Sequence, residues 1–294
     1  MRKRLLVPRV FAATIAPLAL AAALALPGVA AAEGKPDIAA LQVGLRARGL
    51  YSGTVDGVLG PGTETALRRF QKRAGLTADG VPGLRTRKAF GRYGRRAPLG
   101  RRPLALGKRG WDVAALQFAL AWHGFPSAVF DGYLGSHTEV ALRHFQARAG
   151  ITPDGTAGPA TVAALRGPLP RSPLKLIRPL SGPIGDTFGP RGARFHAGVD
   201  FRARAGTPVA AAGSGQVVFA GPSGSGWGKF VVIAHGFGVR TRYAHLSRIK
   251  VRLGQRVPAG STIGLVGATG EANGPHLHFE VIVRGANVDP LGAL

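Results

Sequence analysis

The chain contains no cysteine, so no disulfide can staple it and no thiolate can hold a metal. Any metal site has to be built from histidine and carboxylate. Carboxylates are themselves scarce: 14 Asp+Glu stand against 39 Lys+Arg, a formal charge of +25. That balance points to a polyanionic partner, whether nucleic acid, a membrane surface or another anionic polymer. The shortage of acid also excludes calcium loops, because the several Asp-Gly pairs lack the spaced acidic ligands such a loop needs. Gly 45 and Pro 22 signal many turns, without a collagen-like period. One long apolar run stands out, Val10 to Leu26.

That run follows Arg2-Lys3-Arg4 and Arg9, contains Pro17, breaks at Pro27-Gly28 and closes with Ala30-Ala31-Ala32. Its length, about 17 residues, is at the short limit for spanning a bilayer. The three-part pattern is that of a secretory signal over residues 1–32, cleaved near Ala32. It predicts no stable membrane insertion after cleavage and a secreted mature protein. Export removes nucleic acid from the partners and leaves a cell-envelope polyanion, such as an anionic wall polymer, to meet the positive charge.

Past this segment the chain repeats itself. Residues 37–90 align without a gap to residues 112–165, an offset of 75. Asp37-x-Ala39-Ala40-Leu41-Gln42 matches Asp112-x-Ala114-Ala115-Leu116-Gln117, and Asp56-Gly57-x-Leu59-Gly60 matches Asp131-Gly132-x-Leu134-Gly135. Thr63-Glu64, Ala66-Leu67-Arg68 and Phe70-Gln71 recur as Thr138-Glu139, Ala141-Leu142-Arg143 and Phe145-Gln146; Asp79-Gly80 and Thr86 recur as Asp154-Gly155 and Thr161. A unit this long is a duplicated small domain. Each copy reads as three short helices. In the first copy Ile38, Leu41 and Leu45 keep helical spacing before Gly49, Thr63 is placed as the N-cap of the second helix, and Thr86 begins the third. No group in the repeats has catalytic spacing: His123, His137 and His144 face Arg48, Gly62 and Arg69 in the other copy. The segments 91–106 and 167–179, rich in Arg, Pro and Gly, read as extended, self-repelling linkers.

From Leu180 the texture changes to short β-branched runs separated by glycine, which predicts an antiparallel β domain over residues 180–294. It holds His196, His235, His245, His276 and His278. In His276-Leu277-His278-Phe279-Glu280-Val281, strand alternation puts Leu277, Phe279 and Val281 on one face and His276, His278 and Glu280 on the other. His196-Ala197-Gly198-Val199-Asp200 can aim a His and an Asp at one place. With one histidine of the His-Leu-His pair, this makes a His₂Asp set suited to zinc that leaves a fourth position for water, as a catalytic site requires. Tyr243 lies two residues from His245 and so, by alternation, on its face, where it could help bind an oxyanion, although a packed tyrosine is the stronger reading. His235 reads as a strand-end residue.

These patterns resemble two known families. The repeated Leu-Gln, Asp-Gly-x-Leu-Gly, Thr-x-x-Ala-Leu-x-x-Phe-Gln and Asp-Gly units look like the peptidoglycan-binding domain found beside many cell-wall hydrolases. The set His196-x-x-x-Asp200, Tyr243-x-His245-Leu246 and Gly274-Pro275-His276-Leu277-His278-Phe279-Glu280 resembles the LytM/lysostaphin-type zinc metalloendopeptidases, with Ala272-Asn273 where the family often has Ser-Thr. The resemblance implies that His196, Asp200 and His278 ligate zinc and that His245 and His276 serve as catalytic residues beside the reacting water. The expected architecture is multidomain: a signal (1–32), two small three-helix all-α domains (33–90 and 107–166) with linkers at 91–106 and 167–179, and a mainly antiparallel β metallopeptidase domain (180–294). The expected function is zinc-dependent cleavage of peptide bonds in peptidoglycan stem peptides or cross-bridges. The alternative is a non-catalytic envelope protein that binds peptidoglycan and activates a separate wall amidase, a class that typically lacks zinc ligands present here.

Overall fold

The computed structural model describes residues 34–95, 98–224 and 226–294; the expected signal segment lies outside them. The first copy forms α1 (Pro36–Arg46), α2 (Pro61–Arg73) and α3 (Leu84–Ala89), and the second forms α4 (Trp111–Trp122), α5 (Ser136–Arg148) and α6 (Pro159–Ala164). Among the described residues no helix is long and apolar enough to cross a membrane.

A polar device, used twice in each copy, joins these helices. Gln42 Nε2 lies 2.7 Å from Asp56 Oδ1, 3.1 Å from the Val58 carbonyl and 3.0 Å from the Thr63 hydroxyl, while its Oε1 takes the Gly57 N–H at 2.8 Å. Gln71, Gln117 and Gln146 do the same with Asp79 and Thr86, Asp131 and Thr138, and Asp154 and Thr161. Each Asp also accepts the N–H two residues on, and the glycine after it sits at a φ near 70°, which favours glycine. The Asp-Gly pairs are therefore turn locks. Thr63 does not cap α2 and Thr86 does not begin α3 as the sequence suggested; they lie inside these helices, which start after Gly60 and Gly83, with their hydroxyls in this network. Replacing Gln117 by alanine would strip partners from the Gly132 N–H, Asp131 and Thr138. The expected cost is about 2–3 kcal/mol, read as a lowered urea midpoint followed by tryptophan fluorescence.

The two copies are joined through equivalent helices, α1 against α4. Their shared core includes Leu41, Leu45, Phe90, Trp111 and Phe118, and Trp111 Nε1 donates to Asp37 Oδ1 at 3.0 Å. This explains why α4 is buried from Trp111 to Ala121. The connectors are not extended throughout. Tyr93 donates its hydroxyl to the Ala40 carbonyl at 2.7 Å, Leu104 is fully buried, and Arg102 holds the buried Asp112 carboxylate with two N–H groups at 2.6 and 3.1 Å.

The rest of the chain is antiparallel β structure. A hairpin of β1 (Gly189–Arg191) and β2 (Arg194–His196) precedes β3 (Val199–Arg202), β4 (Pro208–Ala210), β5 (Gly215–Ser223), β6 (Gly228–Ala234), β7 (Val239–Ile249), β8 (Arg256–Val257), β9 (Thr262–Val266), β10 (His276–Val283) and β11 (Ala286–Val288). The main path of the nine-stranded sheet runs β11-β10-β7-β6-β5-β8; β3 joins β10, and β9 joins β7 and β4. One face packs Val199, Phe201, Tyr243, Leu277, Phe279 and Val281 into the core. The predicted alternation of β10 holds: Leu277, Phe279 and Val281 face this core, and His276, His278 and Glu280 the opposite side.

Candidate metal centre

Three strand segments meet at the centre of the site. β10 lies between β3 and β7, so that His278 is the direct cross-strand partner of Asp200 on one side and of Ala244 on the other. His196 ends β2, four residues before Asp200. Gly198 lies between them because β10 passes too close for a side chain: a Cβ there would lie 2.4 Å from the Phe279 carbonyl oxygen and 3.0 Å from His278 Cε1. Close approach of the strand, rather than a bend around an ion, is what requires glycine.

His196 Nε2, Asp200 Oδ1 and His278 Nδ1 converge. The separations are 3.0 Å between the two nitrogens, 3.2 Å from His196 to Asp200 and 2.8 Å from His278 to Asp200. All three residues are more than nine-tenths buried. The outer nitrogen of each ring is already committed: His196 Nδ1–H donates to the Thr187 carbonyl (2.9 Å), and His278 Nε2–H donates to Glu280 Oε1 (3.0 Å). In these neutral tautomers both inner nitrogens carry lone pairs, and they point at a carboxylate oxygen. Three acceptors without a donor among them repel unless a cation sits between them. The donor set fits a metal, and its nitrogen and oxygen chemistry fits zinc.

Without a metal, a proton takes the cation's place. Burial works against a charged His278, but hydrogen bonds to Asp200 and Glu280 push it up to about 9. Asp200 is held well below the usual carboxylate range: burial opposes its charge, and the neighbouring His196 and His278 overcome that. A bound metal must therefore displace a proton at neutral pH.

His245 and His276 flank the set. Their ring centres are 4.7 Å apart, and His276 Nε2 is 3.8 Å from Asp200 Oδ1. Each donates Nδ1–H to a backbone carbonyl, His245 to Thr269 (2.8 Å) and His276 to Gly274 (2.9 Å), leaving Nε2 as the basic nitrogen. Burial lowers the His245 pKa, only partly offset by the Thr269 bond, which favours the neutral ring. His245 adopts φ +63°, unusual for a residue with a side chain. This break in alternation overturns one expectation. Tyr243 does not share the face of His245; it is fully buried in the core, and its hydroxyl takes the Ala212 N–H (2.7 Å) and the Thr241 hydroxyl (2.9 Å). Tyr243 has no access to an oxyanion, and burial pushes its phenol up to about 12. His235 lies just beyond β6, bonded to Ser214 O and Thr241 Oγ1, away from the metal set.

Strand alternation gives Glu280 a face but no partners. It is 2% exposed and receives four donors: His278 Nε2, Trp227 Nε1 (3.3 Å), Arg242 Nη1 (2.6 Å) and Asn287 Nδ2 (2.9 Å). Arg242 is its direct cross-strand partner and also stacks over the Trp227 ring at 3.9 Å. The available signal was Arg242 alternating with the apolar Tyr243 and Glu280 with Phe279, which puts both charges on the site face.

With this geometry in view, residues 194–290 match peptidase family M23. The chain carries an M23 peptidase domain. Residues 34–90 and 109–165, ahead of the M23 domain, match the peptidoglycan binding domain family. Over 121 residues the chain is 43% identical to the DD-carboxypeptidase/endopeptidase Mpg of Neisseria meningitidis serogroup B, a match covering 40% of this chain and 27% of that protein. Over 98 residues it is 49% identical to the peptidoglycan DD-endopeptidase ShyA of Vibrio cholerae serotype O1, covering 33% and 23%. The chain thus matches less than a third of the length of either relative. A solved structure of the catalytic domain of lysostaphin from Staphylococcus simulans is 38% identical, with 37% of this chain and 90% of that one covered and a TM-score of 0.36.

Proposed function

We propose that this protein is a zinc-dependent endopeptidase that hydrolyses peptide bonds in peptidoglycan, with its two helical copies holding it on the wall. The observation that carries the proposal is the buried acceptor-only set His196, Asp200 and His278, with two further histidines presenting basic nitrogens beside it. In this reading those three residues hold zinc. The ion would supply a Lewis acid that polarises the scissile carbonyl and acidifies water. His245 and His276 do the proton work: one Nε2 takes the proton of the attacking water, and the pair returns a proton to the departing amine. Their Nδ1–H bonds to Thr269 and Gly274 keep both rings in the tautomer this needs and steady the imidazolium that forms. Glu280 orients His278 through its Nε2–H.

The names of the relatives, a DD-carboxypeptidase/endopeptidase and a peptidoglycan DD-endopeptidase, support a D,D-peptide bond as the target. The wall-binding role rests on the match of both copies to the peptidoglycan binding family, with residues 33–90 and 107–166 as the modules, 91–106 and 167–179 as connectors and 180–294 as the enzyme. Tethering raises the local concentration of cleavable bonds without new contacts at the active site. Net charge +25 would add attraction to anionic wall polymers that weakens with salt. An extracytoplasmic location, reached by cleavage near Ala32, completes the reading. The test is turbidity clearing of purified peptidoglycan. Activity should vanish with a chelator, return with zinc, and release muropeptides whose masses show cross-links opened. Undiminished clearing in chelator would refute the metal reading.

A further inference from the structure

The helical copies and the M23 domain share backbone contacts that lead to the metal set. At the tip of the β1–β2 hairpin, which carries His196, the Gly192 carbonyl accepts the Val55 N–H and the Ala193 carbonyl accepts the Phe130 N–H, both at 2.8 Å. Val55 and Phe130 are equivalent positions at the offset of 75, so each copy lends the same donor to consecutive carbonyls. Trp122, at the end of α4, packs edge-on against Phe195, with ring centres 5.4 Å apart.

A second contact reaches deeper. The Gly124 carbonyl, in the turn after α4, accepts the Asn287 N–H at 3.0 Å. The contact is backbone on backbone: a Cβ on Gly124 would lie 2.3 Å from the Asn287 carbonyl oxygen, and the φ of +89° is itself one that favours glycine. Ala286, the neighbour of Asn287, is fully buried in the core of the second helical copy. From this anchored position Asn287 Nδ2 donates to Glu280 Oε2 at 2.9 Å and to the Ala197 carbonyl at 3.3 Å. Glu280 holds His278, and Ala197 follows His196. One amide group thus ties the supports of two arms of the metal set to a main chain that pairs with β10 on one side and bonds the second helical copy on the other.

We propose that Asn287 is a positioning residue for the metal site and that docking of the second helical copy, through Gly124, sets its position. The copy is then a structural part of the metal centre as well as a wall anchor. The physical basis is that ligand direction is set by what the outer nitrogen of the imidazole bonds, and groups that orient a ligand govern metal affinity. The inference rests on reading His196, Asp200 and His278 as the zinc ligands.

The test is zinc affinity of the metal-stripped full protein, measured by competition with a chromophoric chelator, alongside circular dichroism and thermal unfolding. Asn287→Ala should weaken zinc binding about 10-fold, and Asn287→Asp, equal in size but without the donor, should fall with it. Gly124→Ala should weaken binding several-fold although Gly124 touches no ligand. Arg148→Ala removes a different docking contact, Arg148 Nη1 to the Val283 carbonyl (3.2 Å), and should bind zinc as the wild type does. If Gly124→Ala does not fold, the two Asn287 variants decide. Folded Asn287 and Gly124 variants that bind zinc within twofold of wild type would overturn the proposal. A folded wild type that binds no zinc would overturn the zinc reading and this inference with it.

Discussion

Replacing His278 with alanine is expected to abolish zinc retention and to cut peptidoglycan hydrolysis by about three orders of magnitude or more, equivalent to about 4 kcal/mol of lost transition-state stabilisation. Two effects combine. The substitution removes one of three converging donors, leaving His196 and Asp200, and it breaks the link by which Glu280 orients the set. The fold should survive, because the side chain leaves the sheet on the face opposite Leu277 and Phe279 and contributes nothing to the main core. Metal content by mass spectrometry and clearing of purified peptidoglycan would be read together on protein with unchanged far-ultraviolet dichroism. The same variant separates the enzymatic reading from that of an amidase-activating binding protein. A variant with full activity in clearing would leave the metal set without a catalytic role.

The second large effect is expected at Glu280, a residue that touches no substrate in this reading. Glu280→Gln keeps the shape and removes the charge that balances Arg242 and orients His278. Breaking a buried pair by removing one partner costs about 3–5 kcal/mol, and loss of such an orienting carboxylate lowers metal affinity about 10–100-fold. Denaturant unfolding of the metal-free protein and chelator competition would measure the two separately. The sign of the pH dependence follows from the direction of the shift. Burial works against the Glu280 charge, but His278 and Arg242 hold its pKa below the ordinary value. Its stabilising contribution is therefore present above the unfolded glutamate pKa and lost as pH falls through the lower folded value. The stability gap between wild type and Glu280→Gln should be full at neutral pH and close in acid. A gap that widened in acid would mean that Glu280 is buried protonated.

Much of the site was legible from spacing alone because β strands alternate. Once Leu277, Phe279 and Val281 are assigned to a core, His278 and Glu280 have only one face to occupy. The same rule failed at Tyr243 because it assumes an unbroken strand. His245 takes a left-handed φ, and β7 shifts register against both β6 and β9 nearby, so Tyr243 turns into the core while Ala244 lies on the other face. Thr63 misled for a related reason. Threonine before a helical run signals an N-cap, but Pro61 begins the helix and the hydroxyl serves a glutamine on another helix.

By itself the sequence determined which chemistry is available and how the chain is divided. Without cysteine, any metal site had to be built from histidine and carboxylate, and a gapless duplication set two helical units ahead of the histidine-rich C-terminal region. These are matters of composition and local period, which a linear string carries directly. Tertiary structure decided what holds that chemistry in place. Glu280 meets Arg242 across a strand pair and Trp227 from a neighbouring turn, and Asn287 reaches Glu280 from β11, where its backbone N–H bonds Gly124, far back in the chain. Such partners are set by register and docking between distant segments, and no local period in the sequence encodes them.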